Sequence, residues 1–202
     1  IINLVKEVYS TLGFKEYYFE ISTRPEKYVG SEKMWDLATN ALKNVLKKRN
    51  IKYDIDEGAG VFYGPKIDIQ MKNANGKEET AFTVQYDFVM PKKFELEFID
   101  QNSKFQQPVT IHRSSIGAIE RTMAFLIEHY QGAFPTWLSP VQVQIIPITD
   151  RNIKYGQNIL EQLLSSNIRA ELDDRSEKMQ GKIRDAQLQK IPYIIVIGDK
   201  EE

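Results

Sequence analysis

The chain has 202 residues, 42% of them hydrophobic, 27 basic and 28 acidic side chains, and a formal charge of −1. That length accommodates one large or two modest domains, and the near-neutral charge argues against a purely electrostatic binder of nucleic acid, so any RNA contact must come from local patches. Cysteine is absent, which excludes disulfides and Cys-rich zinc sites within the chain, and no apolar run approaches the length of a membrane span. The first residues, IINLVKEVYSTLGF, lack the basic start and small-residue cleavage site of a signal peptide. A soluble cytoplasmic protein is the default expectation. The absence of an initial Met, and an end directly after a strand pattern, suggest a piece of a longer protein.

Residues 1–13 have helical periodicity closed by Gly13, and Tyr17 to Ile21 alternate as a strand. Ser22 to Gly30, containing STRPEK, is punctuated as a loop by Pro25 and Gly30, and by composition is a solvated turn. Ser31 then Glu32 form a helix start, with Trp35, Leu37, Ala38, Ala41, Leu42, Val45 and Leu46 as its expected buried stripe. Lys47, Lys48 and Arg49 end that helix, where cations suit its dipole.

Ile51 to Asp56 form a short strand. GAGVFYGPK, residues 58–66, is a loop able to approach a ligand closely; Tyr63 offers it a hydroxyl and Lys66 an ammonium. On composition alone it is equally well a hairpin with an incidental Tyr. Ile67, Ile69 and Met71 alternate with polar residues, and Asn75-Gly76 is the signal of a two-residue hairpin. The return strand covers about Glu79 to Asp87, with Met90-Pro91 after it. Phe94, Leu96 and Phe98 alternate as a further strand, followed by Val109 and Ile111. The expectation is an antiparallel meander.

In VTIHRSSIGAIERTMAFLIEHY, residues 109–130, a strand leads into a helix with an expected buried face of Ile119, Met123, Leu126, Ile127 and Tyr130. Ser114, Ser115 and Gly117 form the junction. Arg121 follows Gly117 by one turn; a guanidinium there can stack on a base and carry charge to a phosphate, although spacing alone permits an ordinary surface Arg. His112 and His129 are the two histidines. A metal needs several converging ligands, so composition alone gives His112 a structural role.

After a linker from Phe134 to Pro140 the pattern becomes strand (Val141–Ile148), helix (Ile153–Leu164), strand (Ile168–Leu172), helix (Met179–Leu188) and strand (Tyr193–Ile197). This βαβαβ order implies a parallel sheet with right-handed crossovers.

HRSSIGAIER resembles the third signature motif of class II aminoacyl-tRNA synthetases. STRPEK (22–27), FYGPK (62–66), TVQYDF (83–88), FPTWLSPVQV (134–143) and GDKE (198–201) occur in the order found in the threonyl-tRNA synthetases. The resemblance covers nearly the whole chain. It implies an α+β antiparallel class II catalytic core, C-terminal part, over residues 1–135, and a small α/β anticodon-binding domain, incomplete at its end, over 136–202.

The implied parent activity is threonine–tRNA ligase: ATP-dependent activation of threonine and its transfer to tRNA(Thr). The alternative is a non-catalytic synthetase-like protein that binds tRNA or regulates. The resemblance implies catalytic roles for Arg121 and Lys66, ATP contacts from Arg121, Gly117, Thr83 and Gln85, and substrate contacts from Tyr63 and Gln85. It makes His112 one of three zinc ligands, the others expected before Ile1 together with the second class II motif, so this segment alone is expected to be inactive. Anticodon contacts are implied for Arg175, Ser176, Lys178, Arg184, Lys200 and Glu201. ATP with Mg2+, zinc in the parent and a homodimer are implied; neither DNA nor a membrane is an expected partner. Two departures stand out. Thr80-Ala81-Phe82 replaces a usual Trp-Gln-Cys segment, whose Gln is associated with the nucleotide ribose, and Ala118 stands where many relatives have Ser.

Overall fold

A computed structural model describes residues 1–114 and 116–201. Ser115, assigned above to the strand–helix junction, lies outside them. The chain forms two compact units, Ile1–Phe125 and Leu126–Glu202.

The first unit is a five-stranded sheet with helices on one face. Its elements are α1 (Ile2–Leu12), β1 (Tyr18–Ser22), α2 (Glu32–Lys48), β2 (Tyr53–Asp56), β3 (Lys66–Lys72), β4 (Glu78–Asp87), the single-turn α3 (Met90–Lys93), β5 (Phe98–Ile99), β6 (Phe105–Gln106), β7 (Thr110–Arg113) and the start of α4 (Ile119–Tyr130). Strand order in the sheet is β2-β1-β3-β4-β7, and β5 pairs with β6 in a separate hairpin. β1–β3–β4–β7 are antiparallel, but β2 runs parallel to β1, so the sheet is mixed and not the simple meander expected.

Period-two alternation gives this sheet two unlike faces. Phe19, Ile21, Ile67, Ile69, Met71, Phe82 and Val84 point one way and are buried. Trp35, Ala38, Leu42 and Leu46 are the buried stripe of α2, which packs on β1 and β3. Leu37 (64% exposed) and Val45, expected in that stripe, face out instead. α2 is started by Ser31, whose hydroxyl accepts the Met34 N–H. Ser22, Lys66, Asp68, Thr83, Gln85, Asp87 and His112 occupy the other face, as the register pairs Ser22–Lys66–Gln85–His112 in one row and Asp68–Thr83 in the next.

Three local departures from the expected pattern have clear causes. At the β3–β4 turn only Gly76 has positive φ, so the mirror-image two-residue turn, which needs two such residues, does not form. The Asn73 side chain instead accepts the Asn75 and Lys77 N–H groups, and Gly76 provides the left-handed step. In β4, Ala81 is an extra residue: Ile69 pairs with Phe82 but Gln70 with Thr80. This bulge changes the facing of everything before it. Phe94 and Leu96 are not in a strand, because Pro91 starts a helical turn that ends at Phe94, and β5 is left with two residues.

The stripe expected to be buried on α4 is mostly open: Ile119, Met123 and Ile127 are exposed, and Phe125 and Leu126 are buried. Phe125 meets Phe14 edge-on, next to Tyr9 and Tyr17.

The second unit is a three-stranded parallel sheet, β8 (Val143–Pro147), β9 (Ala170–Leu172) and β10 (Tyr193–Ile197), in the order β10-β8-β9, with helices α5 (Ile153–Ser165) and α6 (Met179–Leu188). Its core is Val143, Ile145 and Ile197, against which Tyr155, Ile159, Leu160, Leu163 and Leu172 pack. Ile148, expected in the first of these strands, lies just past its end and is half exposed. No described helix is long and apolar enough to cross a membrane.

Trp35 is 1% exposed, stacks edge-on with Phe88 and Tyr28, and donates its indole N–H to the Val29 carbonyl. Trp35→Ala should therefore cost the first unit about 3–5 kcal/mol. Urea unfolding followed by far-UV circular dichroism checks this, with a fall in the midpoint of the first unit's transition as the expected result.

Candidate active site and RNA-binding edge

The polar sheet face gathers most of the residues singled out in the first unit. Lys66, Gln85 and His112 are directly paired across β3, β4 and β7, and so form one row. The loop before β3 delivers Tyr63 to the same row: its hydroxyl donates to Gln85 Oε1, and its ring lies edge-on to His112 at 5.8 Å. That loop is tied down by the STRPEK loop. Gly60 N donates to the Thr23 carbonyl, Gly58 N to the Thr23 hydroxyl, and Val29 N to the Phe62 carbonyl. Gly64 passes so close to the Tyr86 carbonyl that a Cβ would collide with it, so no larger residue fits this course.

Burial, with the Asp87 carboxylate nearby, raises the Tyr63 pKa. Its hydroxyl therefore stays protonated and available as a donor through neutral pH.

Two carboxylates overlooked in the sequence support this row. Asp87, fully buried, accepts the Val89 and Met90 N–H groups on Oδ1, and its Oδ2 lies 2.7 Å from His112 Nε2. A carboxylate against one ring nitrogen fixes the imidazole's orientation. Asp68, between two core isoleucines, holds Lys66 Nζ at 2.5 Å and the Ser22 hydroxyl at 3.0 Å. Alternation alone puts Asp68 on the face opposite the core, which reads as solvent; among Ser22, Lys66 and Thr83 it is 1% exposed. Asp68 Oδ1 and Thr83 Oγ1, cross-strand neighbours, are buried without a hydrogen-bond partner among the described residues. Such atoms suit a polar ligand.

Arg121, in the first turn of α4, reaches the N-terminal part of β4. Its guanidinium donates to the Thr80 carbonyl at 2.5 Å and lies 4.0 Å from Glu79. Gly117, at φ +69°, packs on the Ala81 carbonyl with no room for a Cβ. Gly117 and Arg121 therefore both reach the bulged segment of β4, at Ala81 and Thr80, two and three residues along the strand from Thr83. Edge hydrogen bonding leaves the planar faces of Arg121 open to a stacked base.

Among the described residues, no three His, Cys, Asp or Glu side chains converge as a metal site. His112 offers one imidazole, partly exposed and steadied by Asp87. It fits as a single ligand of a set completed by donors from elsewhere, and no chemical step is assigned to a metal here.

In the second unit a cavity of about 410 Å³ opens at the ends of the parallel strands, lined by Pro147, Thr149, Asp150, Ser176, Lys178 and Lys182 among others. Ligands of open parallel sheets bind at this edge. Arg175 also lines it, but its guanidinium is engaged by Asp173 at 2.7 Å and Asp185 at 3.2 Å. The side chain therefore ties β9 to α6. Lys182, 6% exposed, donates to the Asp173 carbonyl. Arg184 is open to solvent, 3.7 Å from Asp185. Lys200 is exposed, and Glu201 accepts the Gly198 N–H in the turn after β10.

The description "tRNA synthetase class II core domain (G, H, P, S and T)" matches residues 1–130, and "Anticodon binding domain" matches residues 142–202. The chain belongs to the class II tRNA synthetases. Threonine–tRNA ligase of Natranaerobius thermophilus is 54% identical over 201 residues, covering 100% of this chain and 31% of that protein. That of Carboxydothermus hydrogenoformans is 51% identical, covering 100% and 32%. Among solved structures, the RNA binding domain of threonyl-tRNA synthetase from Cryptosporidium parvum Iowa II superposes with TM-score 0.91 at 33% identity, over 99% of this chain and 50% of that one. The synthetase chain thus spans about a third of the curated relatives it matches.

The Arg175 hydrogen bonds hold the Asp173 carboxyl below its ordinary value, and the native state gains from the ionised form. This contribution is complete above the ordinary value of 3.8 and is lost as pH falls through the lower native value. The stability difference between the unaltered chain and Arg175→Ala should be constant from about pH 7 to 5 and shrink below about pH 4. Urea midpoints measured across that range check it.

Proposed function

We propose that this chain is the C-terminal part of the catalytic domain, residues 1–135, and most of the anticodon-binding domain, residues 136–202, of a threonine–tRNA ligase. The observation that carries this reading is the Tyr63–Lys66–Gln85–His112 row on the polar face of a class II sheet, in a chain half identical to threonine–tRNA ligases over its whole length. In the reaction, the threonine carboxylate attacks the α-phosphorus of ATP and pyrophosphate leaves. A ribose hydroxyl of the tRNA 3′ end then attacks the aminoacyl carbonyl and AMP leaves.

Phosphoryl chemistry of this kind needs charge placement more than an acid–base pair. Arg121 supplies a stacking plane for adenine and a fixed charge for the triphosphate, and Gly117, close-packed on the Ala81 carbonyl, borders the same nucleotide site. Thr83 and Gln85 line the nucleotide and amino-acid cleft. Tyr63, its proton given to Gln85 Oε1, presents its oxygen as an acceptor for the threonine amino group, and Lys66 brings positive charge. His112 would hold a zinc ion as one ligand of a set completed from outside this chain, and such an ion would supply Lewis acidity toward the threonine hydroxyl and amine; the Mg2+ would arrive with ATP. Arg175, Ser176, Arg184, Lys200 and Glu201 are the anticodon contacts, with Arg175 held in place by Asp173 and Asp185. A homodimeric, cytoplasmic enzyme belongs to the same reading.

In the full-length enzyme, Arg121→Ala should lower kcat/KM of threonine-dependent ATP–pyrophosphate exchange about 10²-fold, as expected for loss of a charged group aimed at the transition state. Exchange at the unaltered rate would reduce Arg121 to a surface charge that caps β4.

Lys200→Glu in the same enzyme should weaken tRNA charging about tenfold while leaving pyrophosphate exchange within about twofold, since reversing one RNA-facing charge affects a phosphate contact and its repulsion only. Both half-reactions are measured on one preparation. An equal loss in both would show that this edge does not bind RNA.

A further inference from the structure

Lys66 and Asp68 are two apart on β3, so both project from the polar face, and their side chains meet at 2.5 Å. The Lys66 side chain is 18% exposed and that of Asp68 only 2%. The Ser22 hydroxyl donates to the same Oδ2 that receives the Lys66 ammonium, at 3.0 Å. Ser22 is fully buried and is the register partner of Lys66 on β1. Three strands' worth of backbone pairing thus fix one carboxylate oxygen in place, and that oxygen holds the ammonium of a residue whose backbone is paired with Gln85.

A Lys side chain has four rotatable bonds and a strongly hydrated head, so it holds one position only where partners impose it. Among the described residues no other carboxylate forms an ion pair with Lys66. We propose that Asp68, oriented by Ser22, is a positioning residue for Lys66, setting where its positive charge meets the bound substrate. Asp68 itself need not touch substrate. The proposal rests on the role assigned to Lys66 in the proposed function and extends it to two residues that carry no assigned role.

The test uses the full-length enzyme and threonine-dependent ATP–pyrophosphate exchange, with thermal unfolding by circular dichroism as a control. Lys66→Met, Asp68→Asn, Ser22→Ala, Tyr63→Phe and the double variants K66M/D68N and Y63F/D68N are compared. Asp68→Asn keeps shape and removes the charge, and should lower kcat/KM about tenfold or more; Ser22→Ala, which leaves the ion pair, should lower it about two- to fivefold. Because Asp68 acts through Lys66, K66M/D68N should fall within about twofold of K66M alone, whereas Y63F/D68N should show the product of its single losses.

A K66M/D68N loss equal to the product of the single losses overturns the proposal, as does an Asp68→Asn enzyme with unaltered kcat/KM. Either result leaves the role of Lys66 standing. Unaltered activity in Lys66→Met overturns both. Should Asp68→Asn unfold below the assay temperature, Ser22→Ala decides: a loss that disappears in the Lys66→Met background supports the proposal, and no loss overturns it.

Discussion

The antiparallel pairing of β3 with β4 is the constraint on which the first unit depends. It joins Ile67 to Val84 and Ile69 to Phe82 on the core side, and Lys66 to Gln85 and Asp68 to Thr83 on the other. A slip of one residue would exchange the two sets, burying charges against Trp35 and exposing the isoleucines. Core formation and site formation are therefore one event: the same hydrogen-bonded ladder that places the apolar side chains also lines up the polar ones. The helices enforce this register from one side only, which leaves the other side free for chemistry.

What surrounds the ladder consists of supports of different kinds. Backbone donors and acceptors hold the Tyr63 loop through Thr23 and Val29. Carboxylates buried in the sheet hold the cationic and imidazole side chains, Asp68 for Lys66 and Asp87 for His112. In the second unit Asp173 and Asp185 do the same for Arg175. In each pair the carboxylate is the more buried partner, and the other group reaches toward solvent. Such an arrangement keeps desolvation costs on a group with ready hydrogen-bond donors and leaves the exposed partner able to meet a ligand.

Much of this was legible in the chain itself. Alternation from Ile67 to Lys72 and a return strand from about Glu79 to Asp87 mark the central hairpin, and the βαβαβ order of the second unit follows from apolar runs of strand length separated by helical periods. Tyr63, Lys66, Gln85 and His112 stood out through family motifs, and the pairing brings them to one row. The burial of Asp68 was not legible, because period two distinguishes faces but cannot say whether the polar face is wet. Nor was the commitment of Arg175, whose partner Asp185 is ten positions away on a helix. Apolar periodicity on α4 was read as burial, yet Ile119, Met123 and Ile127 are open, since periodicity reports a face and not what covers it. The Asn-Gly turn failed because Asn73 supplied a competing side-chain acceptor.

The extra residue at Ala81 acts as a phase break along β4. On its C-terminal side, odd positions face the cleft; on its N-terminal side, Thr80 does, bonded to Gln70. The bulge thus keeps Thr80 on the same face as Thr83 and Gln85, three and five residues away. The strand is in effect two segments spliced at one residue, with Thr80 on the distal segment and the core-facing Phe82 on the proximal one.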